Sequence, residues 1–418
     1  MNREKLIMVC TCEIAGRVRG KGFPARELPS RMTKGVGWVP TNTMISAFSP
    51  IYATPFGTGG DLILVPDPQT EVDVDFGDGS AGEHFLLGDI RHLDGAPWEC
   101  CPRDFARRAL AALHDVAGVR LLSAFEHEFV YTGVTDQPGN PYSLDAFRRQ
   151  GIFAEAFTAA LRAAGCAPDS FMAEYGPRQF EFTCDPALGL RSADRAVIAR
   201  EMARATAHRL GERAIFAPIL HPDSVGNGVH IHFSFLDDAG APVLHDPAGA
   251  FGLSALGRHF VAGILHHLPA LCAITAPSAV SYMRLRPNRW APTHANLLTQ
   301  DRAAALRICP VLPGPDVARQ FNAEFRVADA AASPYLALGA MVWAGVDGIR
   351  RQLEPPTDGR PLPSSLGAAL DALQATSQAV DWLGASYLNA YLLHKRSELA
   401  ALDGLDEVTQ CARYAETY

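Results

Sequence analysis

An α+β fold is predicted by three features of the sequence. Candidate strands are separated by helices without a strict strand–helix–strand rhythm. The character of the chain changes at residues 98–103, from short strands and loops to alternating helices and strands. Several strand candidates carry acidic or imidazole side chains on alternate positions, with an apolar face behind them. A length of 418 residues leaves room for two or three domains. We place the division between residues 1–100 and 101–418.

In the first part, Leu6–Val9 and Leu62–Val65 are apolar, strand-like runs among Gly and Pro punctuation. Pro102 then stands just ahead of an Ala- and Arg-rich helix, Asp104–Leu113, where a helix start tolerates proline. Ala124–Tyr131 reads as a strand, Leu144–Ala164 as a helix ended by Gly165, and Gln179–Thr183 as a strand. Ser192 reads as the N-cap of a helix running to Leu210 and stopped by Gly211. Val229–Phe235 is a further strand. Ser333 and Pro334 mark the N-cap and first residue of a helix through Leu353.

Composition removes several function classes. Hydrophobic residues make up 48% and charged residues 20%, which supports a packed core and excludes wholesale disorder. A formal charge of −8 lacks the basic excess of a nucleic-acid binder. No apolar run reaches the ~18–20 residues of a membrane span, and the N-terminus has no signal-peptide core. The nine cysteines match no zinc spacing, Cys10 and Cys12 or adjacent Cys100 and Cys101 included, so a reduced, cytoplasmic chain is expected.

The polar strand faces point to chemistry. Ala124–Phe129 places Glu126 and Glu128 on one face and His127 on the other. Gln179 and Glu181 share a face, as do His230, His232 and Ser234, and Asn322, Glu324 and Arg326. Solvated sheet faces use Lys, Thr, Arg and Ser, whereas these use Glu and His. On one sheet, with Glu174 ahead of the Gly176-Pro177 turn, such carboxylates repel one another, and divalent cations relieve the repulsion. Oxygen ligands with few imidazoles suit Mg²⁺ or Mn²⁺ better than zinc. Arg284, Arg286, Arg289, Arg302, Arg307 and Arg326 follow along the chain. Arginine grips carboxylates and phosphates in a bidentate fashion. Metal-binding acids beside arginines are what phosphoryl transfer needs, and no Walker-type glycine loop is present.

Taken in order, certain segments resemble the glutamine synthetase superfamily over nearly the whole chain. They are Phe125-Glu126-His127-Glu128-Phe129, Glu174–Glu181, Gly226–His232, Ser281-Tyr282-Met283-Arg284-Leu285, Asp301-Arg302 with Arg307, and Glu324-Phe325-Arg326 before Ser333–Leu336. The resemblance implies a small N-terminal β-grasp domain and a catalytic domain whose antiparallel sheet lines a funnel. By position it implies Glu128, Glu174 and Glu181 at a first metal site and Glu126, His230 and Glu324 at a second. It implies ATP and Mg²⁺ or Mn²⁺, two to three ions per site. Arg284 and Arg326 match residues on the glutamate carboxylates, and Gly226 the glutamate-binding loop. Arg302 and Arg307 match residues on the phosphates, with Arg302, Arg307 and Arg326 as the catalytic arginines. His232 and Ser234 fall on the nucleotide side. A homo-oligomer of stacked rings is implied, with small-molecule partners and no nucleic acid or membrane.

Departures from the family pattern narrow the substrate. Arg178 replaces a glycine, Met283 and Ile219 replace lysines, and Asp301 and Val225 replace asparagines. Ammonia-using members carry an acidic loop in the N-terminal domain and a glutamate on the flap after Arg284. Here Leu28–Gly60 holds no Asp or Glu, and Trp290 occupies the flap position before Ala291-Pro292. That pattern resembles the γ-glutamyl-amine ligases of the superfamily, acting on polyamines, alkylamines or anilines. The expected activity is amide formation between the γ-carboxylate of glutamate and an organic amine through a γ-glutamyl phosphate. Trp38, Phe48, Tyr52 and Phe56 are candidates for the far wall of the amine pocket or for plain core. Two alternatives stay open: a glutamine synthetase using ammonia, and a non-catalytic member of the fold.

Overall fold

The computed structural model describes residues 3–418. The first part builds a mixed sheet from β1 (Leu6–Cys12), β2 (Val18–Pro24), β3 (Val36–Trp38), β4 (Leu62–Pro66), β5 (Val72–Val74) and β6 (Glu83–His92), in the order β2-β1-β6-β4-β3, with β5 also on β6. β1 and β6 run parallel, and the other pairs are antiparallel. The alternation in β4, with Leu62, Leu64 and Pro66 buried, is the period-two signature of a half-buried strand.

The second sheet carries β7 (Val119–Tyr131), β8 (Pro168–Ala173), β9 (Gln179–Cys184), β10 (Ala187–Leu188), β11 (Ala214–Ile215) and β12 (Val229–Asp237). After the short β13 (His294–Ala295) come β14 (Leu297–Thr299), β15 (Leu306–Ile308) and β16 (Ala323–Phe325). Its order is β14-β15-β16-β12-β7-β9-β8, with β10 and β11 on β7. The sheet is antiparallel except at one edge, where β14 and β15 run parallel.

Helices Leu190–Arg209, Ala255–Thr275 and Pro334–Arg351 supply much of the second part's buried core. Two of them approach at glycine: a Cβ on Gly263 would meet Ala344 O at 2.2 Å, and one on Gly348 would meet His259 O at 2.2 Å. Among the described residues, no helix is long and apolar enough to cross a membrane.

Several local expectations need correcting. The segment 144–164 is two helices, Leu144–Arg149 and Phe153–Ala163, because Gly151 adopts a left-handed φ of 66°. Ser192 lies inside the helix that starts at Leu190. Its hydroxyl pairs with Ser123 at 2.6 Å and with Gly189 O at 3.1 Å rather than capping. Ser333 is the N-cap and Pro334 opens the helix, as expected, although the Ser333 hydroxyl donates to Cys12 O at 3.3 Å and not to the helix. All nine cysteines are free and buried.

Arg103 joins the two parts. The guanidinium, in the helix Pro102–Ala117, is 2% exposed. It donates to Asp194 at 2.9 and 3.0 Å, to Asp89 at 3.0 Å and to Asp67 at 2.7 Å. Tyr335 OH donates to the same Asp194 at 2.7 Å. Tyr335→Phe removes a hydrogen bond to a charged group and is expected to cost about 1.5–3 kcal/mol. The midpoint of urea unfolding measures it, and an unchanged midpoint would contradict the role given to Asp194.

Candidate active site

Strand register assembles the polar residues. Across β7 and β12, Glu126 faces His230. Across β7 and β9, Glu128 faces Glu181. Glu324 on β16 is opposite His232 on one side and Arg307 on the other. Because side chains alternate, these residues project on one face, while His127 turns to the other and stacks on Phe182 at 5.2 Å.

The carboxylates and imidazoles are close enough to share cations. One ligand atom each from Glu126, Glu181 and His230 lie within 4.8 Å of one another, as do atoms from Glu126, His232 and Glu324. His230 Nδ1 donates to Glu126 Oε1 at 2.5 Å and lies 3.5 Å from Glu324 Oε1. The Glu324 carboxylate, 1% exposed, accepts from Arg307 Nη1 at 2.8 Å and from Arg326 Nη1. His232 faces Glu126 through Nε2 at 3.5 Å, and its Nδ1 donates to Asn322 Oδ1 at 2.9 Å. The positional expectation set His232 on the nucleotide side. The geometry brings it within ligand distance of Glu126 and Glu324 as well, because neighbouring positions on β12 and β16 pair directly.

Burial and neighbouring charge divide the acids. Burial, with the negative charges of Glu126, Glu128 and Glu174, pushes Glu181 well above the usual carboxylate range. Burial and Glu128 also raise Glu174. Glu324 goes down to about 2: burial opposes its charge, but His230, Arg326 and His232 outweigh it. Glu126 is likewise low, since His230 and His232 overcome burial. A mixed set of charged and protonated acids is what a divalent-cation site looks like without its ions, and the oxygen-rich donor set fits Mg²⁺ or Mn²⁺.

Two hollows meet at Glu126 and Glu181. One, of about 510 Å³, is lined by Glu126, Glu128, Glu174, Glu181, His230, Gly226, Arg284, Trp290, Arg302, Arg307 and Arg326. The other, of about 470 Å³, is lined by His232, Ser234, Arg319 and Asn322 among others. Glu324 lies just beneath, held by its two arginines. Gly226 is needed as glycine: a Cβ there would sit 2.3 Å from Arg284 Cγ and 2.5 Å from Pro218 O. Arg284 is thereby packed against the loop, and its Nη2 donates to Ala328 O at 3.0 Å. Gln179 ties the loop to the acids, donating to Gly226 O at 2.9 Å and Asn227 Oδ1 at 2.8 Å. Gly228 N donates to Glu128 Oε2 at 2.6 Å.

The flap, Leu285–Pro292, is tethered at both ends. Arg286 makes a bidentate pair with Glu407 on the last helix. Arg289 donates to Ser224 O at 2.6 Å and to Pro222 O. Trp290 lies between these tethers and the cavity in a left-handed conformation, φ 52°.

Arg178, at the usual glycine position, also adopts a left-handed φ of 56°, the conformation a glycine takes without strain. Ile219 and Met283 are buried in core packing, Val225 lines the cavity, and Asp301 accepts from Ala303 N at 2.8 Å.

The aromatic residues of the N-terminal part do not reach this cavity within their own chain. Trp38 is buried in the core. Phe48 packs on Tyr414 at 5.1 Å, Tyr52 on His394 at 5.3 Å and Phe56 on Trp98 at 5.5 Å. Sequence reasoning missed Tyr142, whose hydroxyl donates to Glu174 Oε2 at 3.2 Å. It sits in a loop without periodicity. Tyr175 was also missed, although it directly follows Glu174.

A sheet that gathers acids and imidazoles beside several arginines, with a second hollow adjoining, suits metal-assisted phosphoryl transfer, and the comparisons make the chain an ATP-dependent carbon–nitrogen ligase. The glutamine synthetase catalytic domain profile matches residues 99–414 and the glutamine synthetase N-terminal domain profile residues 1–98. The chain belongs to the glutamine synthetase family, which uses ATP and divalent metals. It is 31% identical to the gamma-glutamylpolyamine synthetase of Streptomyces coelicolor, over 99% of this chain and 93% of that protein. It is 26% identical to the gamma-glutamylanilide synthase of an Acinetobacter species, over 95% and 87%. A crystal structure described as a novel glutamine synthase homolog superposes with a TM-score of 0.96 at 41% identity, covering 100% of this chain and 99% of that one. The ADP complex of GmaS gives 0.83 at 26% identity, covering 97% and 95%.

Proposed function

We propose that this ligase joins the γ-carboxylate of glutamate to an organic amine, with two to three Mg²⁺ or Mn²⁺ ions per site. The observation that carries the reading is Trp290 at the flap edge of the cavity, close to Glu174, where an ammonia-using enzyme needs an acid. The relatives above, a polyamine and an anilide ligase, support it.

A carboxylate is a poor acyl donor. Transfer of the γ-phosphoryl group of ATP to it makes an acyl phosphate, with ADP leaving. Bound ions would neutralise phosphate charge and act as Lewis acids. Glu128, Glu174 and Glu181 would hold one of them, and Glu126, His230 and Glu324 another. Arg284 and Arg326 orient the acid, while Arg302 and Arg307 take up charge on the phosphoryl oxygens. His232 and Ser234 border the hollow for the nucleotide. The amine lone pair then attacks the acyl carbon, the carbon–oxygen bond to phosphate breaks, and the nitrogen gives up a proton. The departing phosphate takes that proton and leaves as hydrogen phosphate, since Glu174 is committed to a cation and is held by Tyr142 and the Tyr175 amide.

The family resemblance supports a homo-oligomer in which the N-terminal part of a neighbouring subunit closes the site, and Trp38, Phe48, Tyr52 and Phe56 do not line the cavity of their own chain. Full activity at the monomer mass of 45.0 kDa by light scattering would refute this. The test of the activity is phosphate release with L-glutamate and a panel of amines. Release must require both acid and amine, and release with neither refutes the ligase reading.

Cation binding should release protons. In the ion-free chain Glu181 and Glu174 hold protons above their ordinary range, and a bound divalent ion favours the carboxylate form. Calorimetric titration with Mn²⁺ in buffers of different ionisation enthalpy should report roughly one proton released per site. Affinity should fall as pH drops, because protons compete for the same oxygens. Binding with no proton exchange would contradict the assignment.

A further inference from the structure

The hollow that holds Glu174 is bordered by two aromatic side chains that touch each other. Tyr175, 48% exposed, and Trp290, 55% exposed, meet edge to face with ring centroids 4.5 Å apart. They come from different segments, the turn after β8 and the flap. The Tyr175 amide donates to Glu174 Oε2 at 2.9 Å, so the backbone that carries the ring is tied to that carboxylate. Met172, Val225 and Ala291 continue the wall. Large aromatic faces left half in water offer their burial to a ligand.

Charge on the wall is equally selective. Among the described residues lining this hollow, the carboxylates are Glu126, Glu128, Glu174 and Glu181, all within the cation-binding cluster. The basic side chains of the same wall are Arg284, Arg289, Arg302, Arg307 and Arg326. A polyamine brings further ammonium groups beyond its reacting nitrogen. They would stand beside guanidiniums, and this subunit's wall offers them no carboxylate outside the cation cluster, a mismatch that discriminates against them.

We infer that Tyr175 and Trp290 together form one aromatic wall that clamps the amine against the cavity, selecting a monoamine bearing an aromatic or bulky apolar group over diamines and polyamines. Tyr175 is thereby a specificity-determining residue. The inference rests on the γ-glutamyl-amide reading of the site.

The full-length enzyme with ATP, Mg²⁺ and L-glutamate is assayed against benzylamine, aniline, n-butylamine, putrescine, spermidine and ammonium, following phosphate and the amide by mass. The expected result is a kcat/KM for benzylamine or aniline about tenfold or more above those for putrescine and spermidine. A polyamine as best substrate overturns the clamp and leaves the ligase reading standing. Ammonium as best substrate, or no amide from any amine, overturns the ligase reading and this inference with it. In Tyr175→Ala the ratio of benzylamine to n-butylamine kcat/KM should fall about three- to tenfold, and Tyr175→Phe should restore it. An unchanged ratio in Tyr175→Ala overturns the part given to Tyr175. The substrate order of the unaltered enzyme tests the clamp independently of how the variants fold.

Discussion

Glu324→Ala is expected to destabilise the protein by about 3–5 kcal/mol and to abolish turnover. The carboxylate is 1% exposed and sits between two guanidiniums, Arg307 and Arg326, that are themselves 8% and 4% exposed. Removing it leaves both buried positive charges without their main partner, and His230 loses a neighbour at 3.5 Å. That cost is a large part of the ~5–15 kcal/mol that holds a typical domain together. Urea unfolding of the ion-free chain measures the stability term apart from any ligand. Glu324→Gln keeps the shape and one acceptor, so it should recover part of the stability while still failing to turn over. Full activity in either variant would remove Glu324 from the site.

Trp290→Glu is expected to move the amine preference toward ammonium. Ammonium is small and strongly hydrated, and its capture takes carboxylates that replace its water. The substitution removes an indole that offers apolar and cation–π contact, and it places an acid opposite Glu174. Each change is worth about 1 kcal/mol or more. Together, at about 2 kcal/mol, they correspond to a roughly 30-fold change in the ratio of kcat/KM for ammonium to that for the best organic amine. Side-chain exposure of 55% means that the fold has little to lose. A ratio unmoved in this variant would show that position 290 does not face the amine.

The residue faces of the site were legible in the sequence because strands impose a period of two. Glu126, Glu128, His230, His232 and Glu324 needed only that rule to share a face. The pairing between strands was not legible. Nothing local says that Glu126 faces His230 or that Arg307 reaches Glu324, since register is decided by the whole sheet. Loop residues were hidden for a different reason. Tyr142 and Tyr175 sit where no periodicity operates, and Glu407 meets Arg286 across more than a hundred residues of chain. A cap was misplaced at Ser192, whose hydroxyl pairs with Ser123, whereas Ser333 is the N-cap expected even though Cys12 takes its hydroxyl.

The Arg103 cluster has a meaning for how the molecule comes apart. Asp67 and Asp89 belong to the first sheet and its connections, whereas Asp194 and Tyr335 belong to helices of the second part. One buried cation satisfies acids on both sides, so melting either part alone would strand charge in the other. The two parts are therefore coupled through Arg103, and Arg103→Ala is expected to broaden or split the unfolding transition of the subunit. The wall that carries the acids cannot be loosened by local fluctuation of the smaller sheet without cost to the entire subunit.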